Sequence, residues 1–259
     1  MANIYNFNEI EMLSFILVFI RMTSFIVSWP VFGSGLVPTP AKVLFSLVIT
    51  LVIFPVLDRS LVSITFDSYQ MVFLAMKEVF IGVTFGFLAR MFFFCISVAG
   101  QLNSITMGIS SSQLFNPAMG SSASSLEQFK VAIATLFFLA IQGHHVFLQG
   151  IVMSFDLVPM GLQGVNFLSS SSVGEFTQQV MEIGVRLSAP VLVAVFFMNI
   201  SMAVIGRAVP QINVLITSLP VNILAGFVIM IIVMPIFIWQ MEDIVDFSAE
   251  AVFKLLKTY

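Results

Sequence analysis

Apolar residues run along this chain in six blocks, at 12–29, 43–57, 69–98, 131–153, 187–205 and 214–239. All but the second approach or exceed the roughly 18 to 20 residues that an α-helix needs to cross a bilayer. The second is short and ends at Pro55. The pattern predicts an all-α membrane protein of about six long hydrophobic helices in hairpins, with a short amphipathic helix over 242–259. Pro190 and Pro235 fall inside apolar blocks, where they are expected to kink the helices. Prolines and glycines between Pro30 and Pro40 predict a turn, and Pro159 with Gly161 ends the fourth block. Residues 169–174 read as a flexible polar loop, and 175–186 as the start of another helix with Glu182 and Arg186 on one face.

Polar residues interrupt these blocks at informative places. Between Ala189 and Pro220 the chain sets Pro190, Asn199, Arg207, Pro210, Gln211 and Asn213 within membrane-grade sequence. A helix built only to span lipid avoids such groups, because each must find an internal partner. This stretch is therefore expected to meet something other than lipid. Arg21, Lys77, Glu78 and Arg90 also lie in apolar blocks. Lys77 and Glu78 are sequence neighbours and do not face each other across a helix, so their partners must come from other helices or other chains. Residues 101–128 are polar and turn-rich, dense in serine, yet Met107, Ile109, Leu114, Phe115 and Met119 run through them. Non-helical backbone between membrane segments is tolerated where it lines a cavity or is buried in protein. A pore-lining or pore-closing loop and a plain surface loop both fit that pattern.

Composition sets the class. The 259 residues are 59% hydrophobic and 9% charged, with a mean hydropathy of +1.08, whereas soluble domains carry roughly 25% charge. The net charge is −3 and the ten Lys and Arg are scattered, which excludes the basic footprint of nucleic-acid binding. Cys95 is the single cysteine, so no intramolecular disulfide forms, and it reads as a small buried hydrophobe. Glu9 and Glu11 precede the first apolar block without any Lys or Arg. A cleavable signal peptide is not expected, and a multi-pass protein of the bacterial inner membrane is. Lys42, Lys130 and Arg207 fall on one side of the six segments, and Arg59, Arg186, Lys254 and Lys257 on the other. That is no usable positive-inside bias, as expected if some helices are not ordinary spans. Abundant Phe and Met, 29 and 16 residues, suit irregular packing against other hydrophobic protein surfaces.

Enzymatic signals are weak. His144 and His145 are adjacent and point about 100° apart on a helix, unsuited to a shared metal. Gly120-Ser121-Ser122-Ala123 superficially resembles an intramembrane serine protease loop but has no triad context. No phosphate-binding, dinucleotide or calcium motif is present. No catalytic, cofactor or metal site is expected. A proton-coupled small-solute transporter is the rival from another class, opposed by the near absence of intramembrane acids and of an inverted repeat.

Several residues, in order and spacing, carry a resemblance. They are Arg21, the turn Pro30, Phe32-Gly33 and Pro38, then Lys42, Pro55, Lys77-Glu78, Gly82 and Gly86. Gly100, Met107-Gly108, Gln113-Leu114-Phe115-Asn116-Pro117, Gly143-His144 and the 189–220 stretch follow. The chain resembles the FliR family of the flagellar type III export gate, itself similar to an injectisome counterpart that remains the alternative within the family. Asn116 stands where the family has Asp, and Gln142 where it has Asn.

The resemblance implies a closed, helically arranged hetero-oligomer in the flagellar basal body, with FliP-like and FliQ-like subunits, FlhB-like and FlhA-like components, and unfolded protein substrates. It implies a FliP-like part over 1–185 and a FliQ-like hairpin with the C-terminal helix over 186–259. The 101–128 loop becomes a channel plug carrying Met107, Gly108, Ile109, Leu114, Phe115, Asn116, Pro117, Met119 and Gly120. Arg21, Lys77, Glu78, Arg90, Asn199, Arg207, Gln211 and Asn213 become subunit-interface residues.

Overall fold

The computed structural model describes residues 9–30, 37–57, 68–110, 124–160, 170–211 and 213–257. Their regular structure is entirely helical. In chain order the helices are α1 (Glu9–Ser28), α2 (Thr39–Ile53), α3 (Ser68–Thr106), α4 (Ser125–Ala140), α5 (Gly143–Leu157), α6 (Ser170–Ala208) and α7 (Val214–Lys257). Stretches of α1, α3, α6 and α7 are each long and apolar enough to cross a membrane. The α4–α5 pair makes a fifth if it forms one broken span. The protein is thus an all-α membrane protein, as the apolar blocks predict.

Four boundaries differ from the sequence pattern, each for a physical reason. The fourth apolar block is two helices, broken where Gln142 adopts a left-handed conformation at φ 59°. A left-handed residue cannot continue the α-helical hydrogen-bond ladder. Helix α3 runs past residue 98 to Thr106, because its polar side chains bond back into the helix or to neighbours. Helix α6 starts at Ser170, so the expected 169–174 loop is helical from there, in keeping with serine's ease at a helix N-terminus. The C-terminal segment is continuous with α7 through Pro220 and Pro235, not a separate short helix.

The chain divides into two compact units, Met1–Met91, Gln142–Val173 and Phe247–Tyr259 in one, Phe92–Ile141 and Gly174–Asp246 in the other. Helix α6 passes through 185–186 without a break.

In the first unit α1 contacts α2, α3 and α5. Trp29 stacks on Phe25 at 5.1 Å between ring centres and meets Phe147 of α5 at 6.4 Å. Phe15 meets Phe54, just beyond α2, edge to face at 5.3 Å. Gly82 brings α3 against the α1 backbone. A Cβ there would stand 2.8 Å from Ser24 Cβ and 3.1 Å from the Phe25 nitrogen. Small residues at such crossings let membrane helices gain packing contacts that lipid cannot supply.

The second unit has a core of Met107, Leu126, Val191, Val195 and Met230. Phe138 of α4 meets Phe92 and Phe93 of α3 at 5.4 and 5.5 Å. Gly184 and Gly100 admit close neighbours, Cys95 and the Glu127 backbone respectively. Only 17% and 22% of the apolar windows of α6 and α7 are buried, against 56% in α3. Helices α6 and α7 therefore leave the most apolar surface to be covered by lipid or protein.

Candidate functional site

The end of α3 and the start of α4 flank residues 111–123. Gly108 has φ 82° and donates its N–H to the Ile105 carbonyl, while Ile109 donates to the Ser104 carbonyl. These two bonds, at 3.1 and 3.0 Å, form the Schellman ending of a helix, with glycine at its left-handed position. On the far side, Ser124 is the N-cap of α4, and its hydroxyl accepts from the Leu126 N–H at 3.3 Å. Ser104 Oγ joins the two sides. It lies 2.8 Å from Ser110 Oγ and also accepts a bond from Ser124 Oγ. Ser110 and Ser124, the described residues on either side of 111–123, thus meet at one hydroxyl cluster.

Of the expected plug residues, Met107, Gly108 and Ile109 belong to this base. Met107 is fully buried in the core of the second unit, and Ile109 packs against that core. Leu114, Phe115, Asn116, Pro117, Met119 and Gly120 lie outside the described residues.

Beneath the base is a polar group that sequence reasoning missed. With the Asn103 amide turned to satisfy both neighbours, its oxygen accepts from Lys130 Nζ at 2.6 Å. Its nitrogen then donates to the Ser188 carbonyl at 3.2 Å. Ser97 of α3 donates to the carboxylate of Glu127, which sits in the first turn of α4, where the helix dipole favours a negative charge. Lys130 lies three residues after Glu127, a spacing visible in the sequence, but only the fold shows that the two do not pair.

In the first unit, the partner of Arg21 is Glu78. The Arg21 Nε donates to a Glu78 carboxylate oxygen, and both side chains have 0% exposure. The remaining guanidinium nitrogens donate to Ser154 Oγ at 3.0 Å and the Val158 carbonyl at 3.1 Å. The Phe155 ring centre lies 3.9 Å from the guanidinium carbon, a cation–π distance. Lys77 Nζ donates to the Pro159 carbonyl at 3.1 Å. Between a partner helix and a partner chain, the structure gives Arg21 and Glu78 the helix. Ser154 and Val158, over 130 positions from Arg21, carried no signal that could have found them.

The other expected interface residues differ. Arg90 is exposed. Asn199 of α6 accepts from the Asn222 amide of α7 at 2.8 Å. Arg207, Gln211 and Asn213 are exposed near the α6–α7 turn. Asn213 also caps α7, accepting from the Ile216 N–H at 3.4 Å and, through its carbonyl, from the Thr217 N–H at 3.1 Å. His144 and His145 stack edge to face at 4.3 Å. Among the described residues no three His, Cys, Asp or Glu side chains gather as metal ligands would.

These features can be set beside known proteins. A model of the family "Bacterial export proteins, family 1" matches residues 12–248. The flagellar biosynthetic protein FliR of Bacillus subtilis (strain 168) is 28% identical over 246 residues, covering 94% of each chain. The protein of that name from Aquifex aeolicus (strain VF5) is 24% identical over 91% of each chain. That of Escherichia coli (strain K12) is 24% identical over 84% of this chain and 82% of its own.

Proposed function

The chain belongs to the bacterial export proteins, family 1, and on that premise we propose that it is a non-enzymatic subunit of the flagellar type III protein-export gate in the bacterial inner membrane. Relatives that span nearly the whole chain are named as flagellar biosynthetic proteins, which favours the flagellar branch over the injectisome. The transporter alternative loses its main motivation, since Arg21 and Glu78 neutralise each other.

In this reading the chain joins FliP-like and FliQ-like subunits, with 1–185 matching the first in kind and 186–259 the second. FlhB-like and FlhA-like components supply the rest of the export machinery. Residues 101–128 carry the plug. The observation that carries the plug assignment is the hydroxyl cluster at Ser104, where Ser110 and Ser124, on either side of 111–123, meet. A segment tethered at one point can swing without unravelling the helices beside it, and Gly108 is already in the left-handed conformation that such a hinge needs.

Unfolded protein must pass this gate while ions must not. A constriction of Leu114, Phe115 and Met119, rooted on the buried Met107 and on Ile109, suits both demands. Apolar side chains dewet an empty channel, and flexible ones deform around a moving chain. The exposed Arg90, Arg207 and Gln211, with Asn199 and Asn213, take interface roles. Arg21, Lys77 and Glu78 act from within, holding the shape that neighbours recognise.

Replacing residues 108–122 by a short linker is expected to raise ion conductance of cells carrying the assembled gate and to sensitise them to small toxic solutes. Unchanged conductance in an assembled complex would remove the plug from this segment.

A further inference from the structure

Lys130 is only 5% exposed, yet it has no carboxylate partner among the described residues. Its Nζ meets the Asn103 amide oxygen and lies 5.5 Å from the centre of the Phe237 ring. The nearest acid in sequence, Glu127, is held by Ser97. An ammonium has three donors and a full charge, so one amide oxygen and one ring leave it poorly compensated. Burying a charge without a counter-charge costs several kcal/mol on general grounds.

Lys130 also lines a small, partly open cleft of about 20 Å³. The other walls are apolar, among them Leu187 and Val191 of α6 and Met230, Val233 and Phe237 of α7. A cleft with one buried cation at its base and apolar walls selects an occupant with an anionic tip on an apolar stem. Both helices bordering it leave most of their apolar windows uncovered, so a neighbouring helix has access to the mouth.

We propose that this cleft receives an acidic side chain from an adjacent subunit, whose carboxylate pairs with Lys130. The inference rests on the hetero-oligomeric gate reading above and adds the chemistry of one contact within it. The Asn103–Ser188 link fixes the Lys130 side chain before the partner arrives, so little of its freedom is lost on docking. A carboxylate arriving there completes an ion pair out of water, and removing either partner then leaves the other charge stranded.

The contact makes opposite predictions for the chain alone and the chain assembled. Lys130→Met keeps the length and apolar body of the side chain while deleting the charge. The purified full chain in detergent is expected to unfold at the same or a higher temperature as Lys130→Met. In cells that also make the FliP-like and FliQ-like subunits, the assembled fraction by native mass spectrometry is expected to fall at least tenfold. Wild-type complex treated with dicyclohexylcarbodiimide, which activates a carboxyl for attack by a neighbouring amine with loss of the urea, should yield an amide joining Lys130 to an Asp or Glu of another chain.

Three outcomes overturn the proposal. If Lys130→Met assembles as well as wild type, the contact is absent while the gate reading stands. If it assembles normally but loses co-purified anionic lipid, the occupant is a lipid phosphate instead. If the wild-type chain itself assembles with neither subunit, the gate reading fails along with the contact.

Discussion

Gly226 of α7 lies directly against the Met107 side chain. A Cβ built on Gly226 would stand 2.6 Å from the Met107 Cγ and Cε and 2.7 Å from its sulfur. Met107 in turn precedes the left-handed Gly108 and shares its core with Met230 of α7, so α7 packs against the root of the proposed plug segment. Gly226→Val is expected to displace Met107 and raise ion leak through the assembled gate. Met107→Ala restores the space, and the double variant should leak less than Gly226→Val alone. Equal leak in the two would separate this contact from plug position.

The Ser104 cluster provides a milder perturbation of the same segment. Ser104→Ala strands two hydroxyls that now share it, at about 1 kcal/mol for each lost bond. The expected result is a small drop in Tm together with a conductance rise intermediate between wild type and the 108–122 replacement. A Tm drop with unchanged conductance would reduce Ser104 to a structural role.

Arg21 and Glu78 are both fully buried in each other's reach. Removing one charge leaves the other uncompensated, which costs about 3–5 kcal/mol in typical buried pairs. Arg21→Met and Glu78→Gln should each destabilise the chain strongly in thermal unfolding. The double variant should lose less than the sum, because no stranded charge remains. Additive losses would mean that the pair is not coupled.

Glycine positions on α3 and α6 are expected to respond with opposite signs. At Gly82 the obstacles to a methyl group include the backbone of α1, which cannot rotate aside. Gly82→Ala should therefore cost about 1–3 kcal/mol, as overpacked sites do. Gly174 is exposed within α6, with nothing within 4 Å of an added Cβ. Gly174→Ala should stabilise by about 0.5–1 kcal/mol through helix propensity alone. Thermal unfolding of the two variants in one detergent tests the pair of signs.

Arg207 is exposed beside the α6–α7 turn, so its loss should move the chain's own stability by less than about 0.5 kcal/mol. Arg207→Ala is nevertheless expected to reduce co-purification with FliP-like and FliQ-like subunits. Full assembly of this variant would take Arg207 out of the interface.

The hydrophobic pattern alone determined that the protein is a helical membrane protein and where most helices run. Spanning a bilayer demands long apolar runs, and that demand is written residue by residue. The ordered set of Arg21, Lys77-Glu78, Met107-Gly108 and the 189–220 stretch was likewise enough to reach the family. Tertiary structure decided what local pattern does not encode. Gln142 breaks one apolar block into two helices through a single left-handed residue, a cost that no propensity announces. The 242–259 segment looked separate because its charges begin at Glu242, but charge does not end a helix, and α7 runs on to Lys257. Partner choice was the least legible feature. Arg21 finds Glu78 fifty-seven positions away, while Lys130, only three residues from Glu127, does not pair with it. Whether a buried charge is satisfied within its own chain depends on which helices cross beside it, and that crossing is set by packing at positions such as Gly82 and Gly100, not by the charges.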